Sequence, residues 1–179
     1  KLPPIDSKKI IVALENAKTA IRIKGTPGTK TTATAEVFGA PTKAAAQAGK
    51  SGIELLLEPL NTVDNPGFLI STSARALAIM DAVGSENLRL QYDVYHAQVM
   101  EGNLVKTLQT KLSRIGHIQI ADNPGRQAPG TGEINFPFLF SALDQIAYRG
   151  WIGCEYIPSK SSGESLSWLK TWLKPALSG

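Results

Sequence analysis

Leu88-Arg-Leu-Gln-Tyr-Asp-Val-Tyr-His96 and Ile115-Gly-His-Ile-Gln-Ile-Ala-Asp122 are the stretches on which the reading of this chain turns. Each gathers aliphatic and aromatic residues into a short run without a clean polar–apolar alternation, and a carboxylate closes each run. That texture predicts a strand buried on both faces, as in parallel sheets. Residues 53–60 and 151–156 share it. Helical stretches lie between the runs. Ser71-Thr-Ser offers an N-cap ahead of Ala74, Leu77, Ala78 and Asp81, and Gly84 terminates them. Leu104, Leu108, Leu112 and Ile115 recur at helical spacing before Gly116. Asn135 can cap a helix through Leu139, Leu143 and Ile146, closed by Gly150. Leu166, Leu169 and Leu173 repeat the pattern up to Pro175. Four strands alternating with four helices predict βαβ units, a parallel sheet and an α/β fold.

Working outward, the first fifty residues give no such order. Ile10-Ile-Val-Ala-Leu and Ala20-Ile-Arg-Ile read as strands, or residues 7–20 read as one helix capped by Asp6 or Ser7. Gly25-Thr-Pro-Gly-Thr is a turn, residues 31–38 have strand-like composition, and residues 41–49 read as an Ala-rich helix. A length of 179 residues suits one domain, 1–179, in which 1–51 lacks the repeating texture and 52–179 carries it. No run of about eighteen apolar residues predicts a membrane span. No apolar h-region opens the chain. A single cysteine, Cys154, excludes an internal disulfide and agrees with a reducing, cytoplasmic setting. The net charge of +4 comes mostly from lysines in the first fifty residues, where Phe38 is the one aromatic. Solvated lysines explain that better than a nucleic-acid surface, which needs interleaved aromatics. Neither nucleic acid nor a membrane is an expected partner.

The chemistry-bearing residues stand at the ends of the predicted strands. Leu55-Leu-Leu-Glu58 ends in a carboxylate, as do Leu88 to Asp93 and Trp151-Ile-Gly-Cys-Glu155, while the run from Ile115 presents Gln119 and then Asp122. In parallel α/β folds, side chains at the carboxyl ends of strands converge on the active site. One polar residue there is ordinarily satisfied locally; four from consecutive strands point to a shared ligand. Clustered carboxylates repel unless a cation or protons hold them together. Glu58, Asp93, Gln119 and Glu155 would form an all-oxygen set, which favours Mg²⁺ or Mn²⁺ over Zn²⁺.

At these residues a resemblance becomes specific. Leu57-Glu-Pro-Leu-Asn61, Gln91-Tyr-Asp-Val-Tyr-His96, His117-Ile-Gln-Ile-Ala-Asp-Asn-Pro-Gly-Arg126, Pro129-Gly-Thr-Gly-Glu-Ile-Asn135 and Gly153-Cys-Glu-Tyr156 are similar to segments of the hydroxypyruvate isomerase and 2-oxo-tetronate isomerase family. That family sits within the xylose-isomerase-like barrel superfamily. The resemblance covers roughly residues 51–173. It implies a (β/α)8 TIM-barrel type of fold, with the C-terminal four βα units clear and the N-terminal half abbreviated or incompletely represented, since a full barrel takes about 250 residues. A short variant completed by a second copy, hence a homo-oligomer, and a degenerate homologue stay open.

The resemblance also implies roles. Glu58, Asp93, Gln119 and Glu155 match metal ligands, Glu58 and Glu155 match the proton-transfer pair, and His96 matches a substrate-contacting histidine. Gln119 stands where related sugar epimerases carry a histidine, which speaks for the isomerase branch. The implied reaction interconverts hydroxypyruvate and tartronate semialdehyde, or a close 2-oxo-acid sugar, through an enediolate. Two carboxylates across the substrate exchange the roles of acid and base, and a divalent ion acidifies the C–H bond. A ketose 3-epimerase-like enzyme and a non-catalytic metal- or ligand-binding homologue are the alternatives. Two histidines cannot furnish the multi-zinc site of related DNA-repair barrels.

Five further residues complete the expectation. Arg126 is suited to a substrate carboxylate, which arginine binds bidentately. His117, two residues before Gln119, shares its face one layer deeper and acts as support or as a core histidine. Gln91 stands likewise below Asp93 and reads as structural. Glu133 orients Arg126 or caps a loop. The glycines around it lack the Lys-Ser/Thr of a phosphate loop. Cys154 alternates with Glu155 and should face the helices as a small core residue.

Overall fold

Strand β3 (Leu88–Asp93) is buried along almost its whole length, as an interior strand of a parallel sheet must be. It pairs in parallel with β2 (Leu55–Leu57) on one side and β4 (Ile115–Ile120) on the other. β4 pairs with β5 (Ile152–Cys154), and β5 with β1 (Ile10–Ile11), giving the order β1-β5-β4-β3-β2. Register sets Asp93 opposite Gln119, and Gln119 opposite Gly153. The computed structural model describes Ile10–Ile11 and residues 32–50 and 52–172. At Ile10–Ile11 the structure has the strand of the two readings offered and not a helix over 7–20; the expectations for residues 12–31 and for Leu173 and Pro175 lie outside the described residues.

Helix α1 (Thr32–Gly49) takes in residues 31–38 apart from the first, where the composition predicted a strand. The preference of Thr, Val and Phe for strands is a weak local bias, and the alanine-rich run that follows carries the helix through them. Helix α2 (Ser73–Val83) starts as the sequence predicts: the Thr72 side chain accepts from the Arg75 N–H. Gly84 ends it in the left-handed region, φ 64°, with its N–H donated to the Met80 carbonyl. Ala76, Ile79 and Met80 form the buried stripe.

A helix that the periodicity did not predict, α3 (Val94–Met100), begins directly at the end of β3. Gly102 and Asn103, with φ of 63° and 51°, separate it from α4 (Leu104–Lys111). A 3-10 turn over Leu112–Arg114 follows. Ile115, counted both in the helical repeat and at the head of the strand run, belongs to the strand: it opens β4 by pairing with Leu90. Helix α5 (Phe136–Gln145) is capped by the Asn135 side chain, which accepts from the Phe138 N–H, and it ends at Ile146 before reaching Gly150. Phe136, Leu139, Phe140 and Leu143 are buried on its inner face, each contributing about 1.5–3 kcal/mol. The short helices α6 (Ser162–Ser165) and α7 (Leu169–Trp172) flank a 3-10 turn. Trp168 stacks on Phe140 and Trp172 on Phe136. Cys154 is buried in the core, as alternation predicted.

The loop between β4 and α5 is clamped by one residue. Asp122 is fully buried, and its carboxylate accepts backbone N–H bonds from Asn123, Gly130, Gly132 and Ile134 at 2.8–3.1 Å. A Cβ at Gly132 would lie 2.2 Å from the Asn123 carbonyl oxygen, so only glycine allows the approach. The clamp fixes the segment that carries Arg126.

Candidate active site

Glu58 follows β2 by one residue, Asp93 ends β3, Gln119 is in β4, and Glu155 follows β5 by one residue. Four consecutive parallel strands thus deliver one oxygen-bearing side chain each at the same edge of the sheet. Glu58, Asp93 and Gln119 are buried, while the Glu155 side chain is about half exposed.

Asp93 has two tasks. Its Oδ1 caps α3, accepting from the N–H groups of Tyr95 (2.8 Å) and His96 (3.1 Å). Its Oδ2 faces the Arg126 guanidinium at 3.4 Å and His96 Nε2 at 4.0 Å. Burial raises the Asp93 pKa, against the pull of Arg126 and the two backbone donors. Glu58 is more strongly perturbed: burial first, then the charges of Asp93 and Glu155, push its pKa up to about 8. Glu58 Oε1 is buried and has no hydrogen-bond partner among the described residues.

The amide pair below these carboxylates holds them in register. Gln91 Nε2 donates to Gln119 Oε1, and the Gln91 side chain also hydrogen-bonds Glu58. A carbonyl oxygen has two lone pairs, so Gln119 Oε1 keeps one for a cation. His117 lies beside Gln91 in register, on the face of Gln119 and a layer deeper. Burial lowers its pKa, opposed by the charge of Glu155. A Cβ at Gly153 would sit 2.8 Å from His117 Nε2, so that glycine makes room for the ring.

Glu58, Asp93 and His96 each offer an atom within 4.8 Å of the others, a spacing one ion could bridge. His96 is nevertheless better suited to donating. Its Nδ1 accepts the backbone N–H of Asn61 at 3.2 Å, which leaves the ring proton on Nε2, the atom facing the site. Glu155, its Oε2 paired with Arg126, lies outside that spacing, and Glu58 and Asp93 are the oxygen donors within it that suit a divalent cation. The partnerless oxygen of Glu58, beside two other carboxylates, is the observation that favours one.

Arg126 closes the site. Nη2 contacts Glu155 Oε2 at 2.7 Å as well as Asp93, and Nε donates to the Glu155 carbonyl at 3.3 Å. Its carbonyl accepts the Ile157 N–H, and its φ of 54° is unusual for a non-glycine residue. Of the two roles open to Glu133, the loop role is the one its bonds serve: it accepts from Gln98 Nε2 and Asn123 Nδ2, not from Arg126. Sequence reasoning passed over Asn61, Asp64 and Tyr95. Asn61 and Tyr95 stood inside the quoted motifs, but nothing in spacing alone singles them out.

A model of the family described as xylose isomerase-like TIM barrel matches residues 8–172. The chain belongs to that family. Among curated relatives of this xylose isomerase-like chain, hydroxypyruvate isomerase from Escherichia coli is 48% identical over 120 residues, covering 67% of this chain and 46% of the relative. A 2-oxo-tetronate isomerase from Cupriavidus necator is 44% identical over 130 residues, covering 73% and 50%. A crystal structure titled AP endonuclease, family 2, from Brucella melitensis superposes with a TM-score of 0.70 at 38% identity, covering 74% of this chain and 52% of that one. The chain spans about half the length of the curated relatives it matches. Among the described residues, no helix is long and apolar enough to cross a membrane.

Proposed function

We propose that this xylose isomerase-like chain carries the metal-binding and proton-transfer half of an isomerase acting on hydroxypyruvate or a close 2-oxo-acid sugar. The observation that carries the reading is the buried, partnerless Oε1 of Glu58, set among the charges of Asp93 and Glu155. The names of the relatives, hydroxypyruvate isomerase and 2-oxo-tetronate isomerase, support the reaction class.

In the proposed site Glu58, Asp93, Gln119 and Glu155 would hold Mg²⁺ or Mn²⁺, and the ion would supply Lewis acidity to the bound substrate. One of the pair Glu58 and Glu155 removes a proton from C3 of hydroxypyruvate; the electron pair moves to give the enediolate. The other returns a proton to C2 while the O3 hydroxyl proton passes to O2, leaving the C3 aldehyde and C2 hydroxyl of tartronate semialdehyde. The reverse reaction exchanges their roles. His96 donates its Nε2 proton as a hydrogen bond to a substrate oxygen, and Arg126 receives the substrate carboxylate. That cation offsets the negative charge the substrate brings to a site rich in carboxylates.

The test is isomerisation of hydroxypyruvate in deuterated water, before and after chelation. Turnover should vanish on chelation, return with Mn²⁺ or Mg²⁺, and leave deuterium at C2. E58Q and E155Q should each lower kcat by 10³-fold or more, since each removes a proton-transfer group outright. Undiminished turnover in both variants would rule the proposal out.

A further inference from the structure

The loop after β2 and the first turn of α3 are joined by side chains that the proposed chemistry leaves unused. Asn61 is fully buried; its backbone N–H donates to His96 Nδ1, and its Nδ2 lies 2.7 Å from the same nitrogen. Asn61 Nδ2 also donates to Asp64 Oδ2 at 2.9 Å, and Asn61 Oδ1 accepts the Asp64 N–H at 2.8 Å. The Tyr95 hydroxyl donates to the same Asp64 Oδ2 at 2.7 Å. The Tyr95 ring then lies under the Arg126 guanidinium, 5.6 Å from centroid to Cζ. A continuous set of contacts therefore runs from His96 through Asn61, Asp64 and Tyr95 to Arg126. It links the two residues assigned to the substrate, and of its members only Arg126 meets a proton-transfer glutamate, Glu155.

The arrangement has a physical purpose. An arginine in a sparsely populated backbone conformation, with a long flexible side chain, needs its guanidinium held if it is to meet a carboxylate in one orientation. An aromatic face does this and attracts the cation. Tyr95 is buried, and its hydroxyl bond to Asp64 fixes the ring's far end. Asp64 is in turn kept ionised by the bonds from Asn61 and Tyr95, which lower its pKa.

We infer that Tyr95 and Asp64 are positioning residues that set Arg126 to receive a substrate carboxylate, so that they determine selectivity for hydroxy acids over neutral sugars. The inference rests on the assignment of Arg126 to the substrate under the proposed function, but not on turnover. Its test is therefore equilibrium binding of D-glycerate, an unreactive three-carbon hydroxy acid, to the intact protein in the presence of Mn²⁺. Y95L should weaken glycerate about tenfold while leaving the Mn²⁺ Kd unchanged, and should add nothing in an R126Q background. Y95F, which keeps the ring and drops only the bond to Asp64, should weaken glycerate about threefold. D64N should do the same, so the inference does not depend on Y95L folding. Glycerate affinity that is indifferent to Tyr95 and Asp64, or that falls in step with Mn²⁺ affinity, would overturn it, as would R126Q binding glycerate normally. Glycerate bound through Arg126 without turnover of hydroxypyruvate would count against the isomerase reading alone.

Discussion

Glu58 concentrates the electrostatics of the site in one side chain. Its pKa is pushed up to about 8 by burial, then by Asp93 and Glu155. In protein freed of divalent ions, a raised folded-state pKa means that the protonated form is the stabilised one. Its contribution is complete below the ordinary value of 4.5 and is lost as pH rises through about 8. Stability should therefore fall by a few kcal/mol between pH about 5 and about 8, measured by denaturant titration after chelation. E58Q, neutral throughout, should flatten that slope; an equally steep slope in the variant would mean that another group is responsible. An ion competes with the same proton, so Mn²⁺ affinity should climb over the same interval. His96 gives a second prediction. With Nδ1 committed to the Asn61 N–H, it acts through Nε2–H. H96A should raise KM or lower kcat without moving the Mn²⁺ Kd, and a large loss of Mn²⁺ affinity would instead make it a ligand.

At the scale of elements, the strands were legible because burial on both faces leaves uninterrupted apolar runs, though β2 and β5 are shorter than the runs 53–60 and 151–156 that predicted them. Helix α2 was legible through Thr72 and Gly84. Helix α3 was not, because its seven residues are too few to display a period. The available signal was Asp93 itself, a carboxylate able to cap a helix as well as to line a site. Residues 32–38 misled in the opposite way, since their threonines and valine belong to a helix that continues into an alanine-rich run. The clamp on the loop before α5 was also invisible in sequence, because four backbone donors leave no trace in residue type. It makes a firm prediction. D122N turns part of an all-acceptor group into a donor facing buried N–H groups, and should cost about 2–4 kcal/mol by thermal or chemical denaturation. A change below about 0.5 kcal/mol would mean that the loop is held by other contacts.

At the scale of the molecule, a parallel sheet with helices presents its carboxyl edge as one surface, and the proposed site lies there. Each of β2 to β5 adds one side chain to it, so the site depends on the registers between all four strands. An ion held by this set couples them, and binding should stabilise the fold. At an Mn²⁺ concentration a hundredfold above its Kd, the gain is about 2.7 kcal/mol, visible as an upward shift in Tm that E58Q abolishes. The most direct test of the shared site is anomalous diffraction at the manganese edge from crystals equilibrated with Mn²⁺. The account predicts a single strong peak within coordination distance of oxygens from Glu58, Asp93, Gln119 and Glu155, with His96 outside its shell. No peak among these four residues, or an ion held by only one or two of them, would contradict it.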